Sequence, residues 1–228
     1  GEDKFEALMF KPYKPRMTKM LDHSKALMQQ VEHHDVFMAY PYESMNPFLN
    51  LLREAALDPR VFSIKITIYR LASNSQLVKY LLRAAEEGKE VTAIMELRAR
   101  FDEENNIDYS EELIAGGVNV MYGIERYKVH SKVCLISYRD GGKTKYITHL
   151  ATGNYNEYTA KLYQDMNIIT AHYGIGKDAS HFFNNLQTNN IDNSYQYLIQ
   201  SPSTLRDTLL DLMDKEIDKG EAGYIRLK

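Results

Sequence analysis

The sequence has 228 residues, 44% of them hydrophobic and 26% charged, with a formal net charge of −3. This composition is ordinary for a globular protein with a full core. The negative net charge argues against bulk nucleic-acid binding through a positively charged coat, and no apolar run approaches the length of a membrane span. The single cysteine, Cys134, lies in an apolar run, so we expect a core residue in a cytoplasmic protein.

The first part of the chain, residues 1–34, is predicted to be a helical or irregular lead-in. Within it, apolar residues from Met17 to Val31 recur at helical spacing. Val36–Ala39 is a short apolar strand candidate. Asn46 begins a predicted helix that reaches about Ala56, with a proline in its first turn.

An alternation of strands and helices follows. β-branched and aromatic residues predict strands over Val61–Tyr69, Glu90–Leu97 and Val118–Tyr122. Helices are predicted between them, over Ser73–Glu87 and Asp108–Ala115. Strand–helix–strand order with short links indicates a parallel sheet covered by helices.

The next segment has an antiparallel pattern. Ser131–Tyr138 and Thr144–His149 are predicted strands, joined by a hairpin that contains two glycines. A short helix is expected over Asn156–Leu162, a strand over Met166–Ala171 and a helix over Lys177–Leu186.

The last part of the chain, residues 191–228, is predicted to be a linker, an amphipathic helix and the truncated start of a following domain. The helix is expected over Ser203–Lys219, with Ser203 as its cap, and Tyr224–Lys228 as a strand cut short. Residues 35–190 form the predicted catalytic domain. The fold class is therefore α/β, with a mixed, mostly parallel sheet layered by helices, a helical N-terminal extension and a C-terminal helix.

The most informative motif is His130-Ser131-Lys132 at the entry of a strand. Residues two apart in a strand leave on the same face, and an imidazole beside an ammonium suits attack on phosphorus while a cation holds its oxygens. The Thr152-Gly153-Asn154 turn adds backbone amides and the side-chain amide of Asn154, which predicts a phosphate-binding or nucleotide-binding lining. The alternative is an isolated histidine in a hairpin beside a solvated lysine.

Arginines follow two of the predicted parallel strands. Arg70 follows the first strand, and Arg98 and Arg100 follow the second. Ligands collect at the carboxyl ends of such strands, and arginine grips phosphate in a bidentate way. The alternative is that each arginine caps a helix or pairs with the acidic residues 102–104. Those carboxylates could bind a divalent metal, although we favour a solvated loop that balances the arginines.

These motifs resemble those of bacterial polyphosphate kinases, the type related to phospholipase D. The resemblance runs from about Asp35 to the end of the chain and is carried by residues 40–106 and 127–165. His130-Ser131-Lys132 is similar to the first HxK half-site of the phospholipase D superfamily. The aspartate that usually follows that half-site is absent here, as in polyphosphate kinases, and Ser137 occupies its neighbourhood. The family's GTGNYN turn reads ATGNYN in this chain.

The resemblance implies a role for each matching residue. His130 would accept the γ-phosphoryl group of ATP as phosphohistidine, and Lys132 would stabilise the transferring group. Arg70 and Arg100 match a magnesium–phosphate site, where a guanidinium can only grip the phosphate oxygens. Tyr163 matches a tyrosine that contacts the nucleotide, although a core tyrosine would look the same in sequence. The implied ligands are Mg²⁺, ATP or ADP, and inorganic polyphosphate.

The resemblance also implies that the chain is part of a longer enzyme. The family's enzyme continues into a domain that carries a second essential histidine, so we expect an excised catalytic domain with little or no activity. The full-length enzyme is expected to be a homo-oligomer without a membrane span or a nucleic-acid partner, and it could lie at the inner membrane face. Two rival functions stay open: a phospholipase D-like phosphodiesterase or nuclease, and a non-catalytic polyanion-binding module.

Overall fold

A computed structural model describes residues 13–96, 103–124, 127–191 and 194–227, with only the backbone described at 103–105. Within these residues the strands are β1 Val36–Tyr40, β2 Val61–Ile68, β3 Glu90–Met95, β4 Asn119–Tyr122, β5 Lys132–Asp140, β6 Lys143–Ala151 and β7 Asp165–Thr170. The α-helices are α1 Leu27–Val31, α2 Asn46–Leu57, α3 Gln76–Glu86, α4 Glu103–Ala115, α5 Tyr173–Gln187 and α6 Leu205–Ile217. Short 3₁₀ turns cover Thr159–Lys161 and Gly220–Ala222.

The described strands form a single sheet in the order β1-β7-β6-β5-β2-β3-β4. β2 pairs in parallel with β3, and β3 with β4. The other neighbouring pairs are antiparallel. The predicted α/β class and mixed sheet are therefore confirmed. The expectation of a mostly parallel sheet is wrong, because most of the strand pairings are antiparallel. The reason is that β5 returns to the free edge of β2 in the opposite direction, and the hairpin and later strands extend that edge.

Helices cover both faces of the sheet. Cys134 and Ile136 of β5 face the larger core, which the first helices α1 to α3 share. Val133 and Leu135 of the same strand face a second cluster with Ala179 and Phe183 of α5. This alternation is the period of two that a strand buried on both faces requires.

Helix α2 shows how the sequence builds the larger core. Phe48, Leu51 and Leu52 are at most 1% exposed, and their spacing of three and four residues places them on one helical face. Replacing a leucine at such a site with alanine typically costs about 2–5 kcal/mol. This face holds the sheet that carries the site residues.

The predicted helix over Met17–Val31 is wrong for most of its length, because only Leu27–Val31 is helical. Asp22 instead accepts hydrogen bonds from both the backbone and the hydroxyl of Ser24. Gln30 accepts from the backbone of Asp22 at 2.8 Å. Such local side-chain bonds compete with helical hydrogen bonds, and apolar spacing does not reveal them.

The C-terminal helix α6 exists, but it differs from the prediction. Its N-cap is Thr204, without a side-chain capping bond, and none of its residues is buried. The described residues 224–227 do not form the expected strand. Among the described residues, no helix is both long and apolar enough to cross a membrane.

Candidate active site

His130 and Lys132 lie together at the entry of β5. The Lys132 Nζ atom is 3.0 Å from His130 Nε2 and 2.6 Å from the His130 carbonyl oxygen. An ammonium has only donors, so this contact requires Nε2 to accept the hydrogen bond. Lys132 is only 5% exposed, whereas His130 is exposed. The imidazole is therefore accessible from solvent, with an anchored cation at its side.

The environment keeps His130 neutral near neutral pH. Partial desolvation, followed by the positive charges of Lys132, Arg70 and Lys128, lowers the pKa of its imidazole. A neutral imidazole retains the lone pair that a nucleophile needs. The same cations that favour an anion therefore also hold the nucleophile in its reactive form.

The pKa of Lys132 is lowered to about 8, chiefly by burial. The negative charge of Asp165 opposes this shift, and the positive charge of Arg70 adds to it. Lys132 therefore remains predominantly protonated at neutral pH. Arg70 lies at the same end of the sheet, since it follows β2, the neighbour of β5.

Tyr69 connects these groups. Its ring centroid is 4.7 Å from that of His130, with the two planes at 84°. The Lys132 Nζ atom lies 5.3 Å from the centroid, and the Arg70 Cζ atom lies 5.5 Å from it. The structure thus brings the predicted residues His130, Lys132 and Arg70 together around Tyr69, which the sequence did not indicate.

The segment that carries His130 is fixed from the neighbouring strands. The Thr67 hydroxyl of β2 donates to the Ser131 carbonyl at 2.7 Å and accepts from the Val133 amide at 3.0 Å. The buried Glu96 carboxylate accepts from the Val129 amide at 3.1 Å. Sequence reasoning missed Thr67 and Glu96, because the order of the strands brings each of them to a segment that is distant in the chain.

The Thr152-Gly153-Asn154 turn packs against Asp165. The Thr152 hydroxyl donates to the Asp165 carboxylate at 2.8 Å. A Cβ atom on Gly153 would lie only 2.3 Å from that carboxylate, so this close approach requires glycine. The buried Oδ1 atom of Asn154 has no hydrogen-bond partner within the described ranges. Asp165 is a further site residue that the sequence did not reveal.

A buried histidine supports the same turn from below. His149 is 2% exposed and stacks on Phe48 with centroids 4.1 Å apart. Its two ring nitrogens contact the Tyr155 hydroxyl at 3.1 Å and Asn167 Oδ1 at 3.2 Å. Burial lowers its pKa to about 3. This neutral ring anchors Tyr155, the residue after Asn154.

Tyr163 lies on the surface, with 61% of its area exposed. Tyr163 is therefore not a core residue, an alternative that the sequence alone had left open. Asn156 shapes this loop by accepting hydrogen bonds from the amides of Tyr158 and Thr159 at 3.0 and 2.9 Å. No described contact joins Tyr163 to His130, Lys132 or Arg70. The remaining predicted residue, Arg100, lies outside the described residues, as do Arg98 and the start of the acidic segment.

The described side chains suit phosphate better than a bare metal ion. Histidine, cysteine and carboxylate side chains do not form a group of three or more with metal-site spacing in the part of the chain that the structure describes. Arg70 and Lys132 cannot ligate a cation. A magnesium ion here would depend on phosphate oxygens for its ligands, as it commonly does.

Comparisons with known proteins agree on one family. Residues 26–192 match the family model described as polyphosphate kinase C-terminal domain 1. A polyphosphate kinase from Staphylococcus haemolyticus is 43% identical over 94% of this chain, which spans 30% of that relative's length. The crystal structure of polyphosphate kinase from Porphyromonas gingivalis matches 95% of this chain and 36% of its own, with a TM-score of 0.82 and 33% identity. The phospholipase D family member Nuc from Salmonella typhimurium matches 68% of this chain and 93% of its own, at a TM-score of 0.51 and 15% identity, which shows a shared fold alone.

Proposed function

This chain belongs to the polyphosphate kinase family, and on that premise we propose that it carries the histidine that accepts phosphate during reversible transfer between ATP and inorganic polyphosphate. The observation that carries the proposal is the 3.0 Å contact between Lys132 Nζ and His130 Nε2, beside Arg70. Residues 35–190 would be the first catalytic domain of a longer cytoplasmic enzyme, itself a homo-oligomer.

In the first step, the Lys132 ammonium shifts its hydrogen bond from His130 Nε2 to an oxygen of the γ-phosphate, and the freed Nε2 lone pair attacks the γ-phosphorus of ATP. A nitrogen–phosphorus bond forms as the bond from phosphorus to the bridging oxygen breaks, and that oxygen leaves with its electron pair on ADP. Lys132 and Arg70 attract the oxygens of the transferring group, which is the dominant contribution in phosphoryl transfer. Arg100 would join them, as the family resemblance implies.

In the second step, a terminal oxygen of polyphosphate attacks the phosphohistidine. The phosphorus–nitrogen bond breaks, and its electron pair returns to the imidazole. A covalent intermediate suits this reaction because donor and acceptor are both polyanions, and dividing the transfer lets them bind in turn. The second histidine that the resemblance implies would come from the rest of the enzyme.

The remaining proposed ligands follow from the same chemistry. Tyr163 would stack on the nucleotide base, and Asn154 would contact phosphate oxygens through its side-chain amide. When bound, magnesium would neutralise charge on the nucleotide phosphates. The chain's own cations supply the protein's share of that neutralisation.

A phosphodiesterase is the second candidate, and the combination of the His130–Lys132 pair with a phospholipase D-like fold favours it. That activity would cleave a diester without ATP. Hydrolysis of bis(4-nitrophenyl) phosphate that is lost in His130→Ala would favour it. A purely binding role would instead leave polyphosphate affinity unchanged in His130→Ala, with no turnover of either substrate.

The test uses the full-length parent protein with γ-labelled ATP and magnesium. We expect protein-bound label that is labile to acid, stable to base and absent in His130→Ala. His33→Ala is the matched control, since His33 is an exposed histidine near α1 and should label as wild type does. Equal labelling of His130→Ala and wild type would contradict the proposal.

A further inference from the structure

Tyr69 is in contact with all three described groups of the site, yet neither the motif nor the proposed chemistry uses it. Its ring is nearly perpendicular to that of His130, at 84°. The Lys132 ammonium and the Arg70 guanidinium lie 5.3 and 5.5 Å from its centroid. Both distances fall within the range in which an aromatic face attracts a cation.

The ring of Tyr69 can reduce the electrostatic repulsion between two cations of the site. Lys132 and Arg70 are drawn to one end of the sheet, and Arg70 acts on Lys132 strongly enough to contribute to the lowering of its pKa. The Asp165 carboxylate offsets part of the charge on Lys132, but Lys132 and Arg70 still repel each other in the partly buried site when no phosphate is bound. The negative face of an aromatic ring offsets part of that repulsion, and it does so without neutralising either charge.

An aromatic ring also suits a site that must release its cations to a substrate. A carboxylate between Lys132 and Arg70 would form strong ion pairs and compete with phosphate. A cation–π contact is weaker and less directional, so incoming phosphate oxygens can displace it. The backbone of Tyr69 is itself fixed, because Asn106 Nδ2 donates to its carbonyl at 2.9 Å.

We propose that Tyr69 is a positioning residue, whose ring holds Lys132, Arg70 and His130 in a phosphate-ready arrangement before the anion binds. The phenol hydroxyl has no part in this role. The inference rests on the proposed function only for the reaction that the bound phosphate undergoes. The positioning itself applies to any phosphate ligand of the site.

The experiment compares Tyr69→Phe, Tyr69→Leu and Tyr69→Met in this chain. Two variants without the ring are used, so that the test still stands if one of them fails to fold. The amide NMR signals of residues away from the site report whether each variant is folded. Two quantities are measured: the affinity for inorganic tripolyphosphate by calorimetry, and the pKa of His130 by NMR titration. Tyr173→Leu is the control, since it removes an exposed tyrosine ring that packs on Tyr146 instead.

We expect Tyr69→Phe and Tyr173→Leu to match wild type. Tyr69→Leu and Tyr69→Met should bind tripolyphosphate about tenfold more weakly. In both, the pKa of His130 should rise towards its ordinary value, because water enters and the cations around it separate. A merely structural role for Tyr69 would lower stability without changing this pKa in the folded protein.

Two outcomes would overturn the inference. One is wild-type affinity and an unchanged His130 pKa in a folded Leu or Met variant. The other is a loss in Tyr69→Phe as large as in Tyr69→Leu, which would assign the effect to the hydroxyl. Neither measurement uses ATP or turnover, so failure of the phosphohistidine proposal would appear separately, as absent labelling of the wild-type parent protein.

Discussion

The Lys132 ammonium donates to the Nε2 atom of His130 across 3.0 Å, and it is anchored to the His130 carbonyl at the same time. This relationship orients the imidazole, identifies Nε2 as the nitrogen with the lone pair, and places a cation where phosphoryl oxygens would arrive. Each consequence can be measured separately.

Replacing Lys132 with methionine should raise the pKa of His130, because it removes the nearest positive charge from the imidazole. Histidine phosphorylation in the parent enzyme should slow by roughly 100-fold, the usual cost of losing a charge-stabilising group. NMR titration and single-turnover labelling measure the two effects. Lys128→Met is the control and should give a smaller shift in the same direction, since Lys128 is the weakest of the contributing cations. A His130 pKa that falls in Lys132→Met would contradict the assignment.

Histidine phosphorylation should depend on pH through both residues. His130 reacts when neutral, and its lowered pKa keeps it neutral below the range of an ordinary histidine. Lys132 acts when charged, and its pKa of about 8 predicts a falling rate above that pH. Single-turnover rates across the pH range measure this profile. Lys132→Arg should move the alkaline fall to higher pH, since arginine stays charged; an unchanged alkaline limb would rule out Lys132 as its source.

Gly153→Ala should destabilise the turn, because the new methyl group would lie 2.3 Å from the Asp165 carboxylate. We expect a loss of about 1–3 kcal/mol in the free energy of unfolding, together with weaker tripolyphosphate binding. Urea unfolding and calorimetry measure these quantities. Adding Asp165→Gly tests the cause: a steric clash predicts that the double variant regains stability relative to the sum of the single changes. Simple additivity of the two losses would be the contrary result.

Tyr163→Ala should weaken nucleotide binding and leave the fold intact, because the side chain is 61% exposed. Loss of a stacking contact predicts a several-fold rise in KM for ATP, and Tyr163→Phe should retain wild-type values. Steady-state kinetics of the parent enzyme and thermal unfolding check both parts. Tyr158→Ala is the matched control from the same loop, at 68% exposure. An equal rise in KM in Tyr158→Ala would remove the specific role of Tyr163.

His149 should make the chain sensitive to acid. Its folded-state pKa is about 3, against 6.5 for the ordinary residue, so the unfolded state binds more protons between these values. Stability is therefore full above pH 6.5 and declines as pH falls towards 3, by at most about 1.4 kcal/mol per pH unit. Urea unfolding from pH 7 to 4 measures this slope. His149→Gln should flatten it, whereas His33→Gln should not; equal slopes in wild type and His149→Gln would refute the assignment.

The sequence was sufficient to predict those features that depend only on residues close together in the chain. The run of β-branched and aromatic residues over Val61–Tyr69 predicted β2 within one residue of its end. The spacing of His130 and Lys132 predicted that their side chains converge. Arg70 could be placed in the same region because it follows a parallel strand.

The rest of the site depends on pairing between distant strands. Thr67 reaches Ser131 because β5 lies beside β2, and Asp165 reaches Gly153 because β7 lies beside β6. In neither case does the sequence around the residue indicate which strand will lie beside it. Tyr69 had a weak local signal, an aromatic residue directly before a predicted phosphate-binding arginine, but its contact with Lys132 again depends on strand order.

The position of the phosphorus in the phosphorylated parent enzyme tests the role of His130 most directly. After brief reaction with ATP and magnesium, nitrogen–phosphorus NMR couplings in histidine-labelled protein identify the modified atom. We expect a single phosphoryl group on Nε2 of His130. A phosphoryl group on another residue, or phosphorylated protein without a nitrogen–phosphorus coupling, would contradict it.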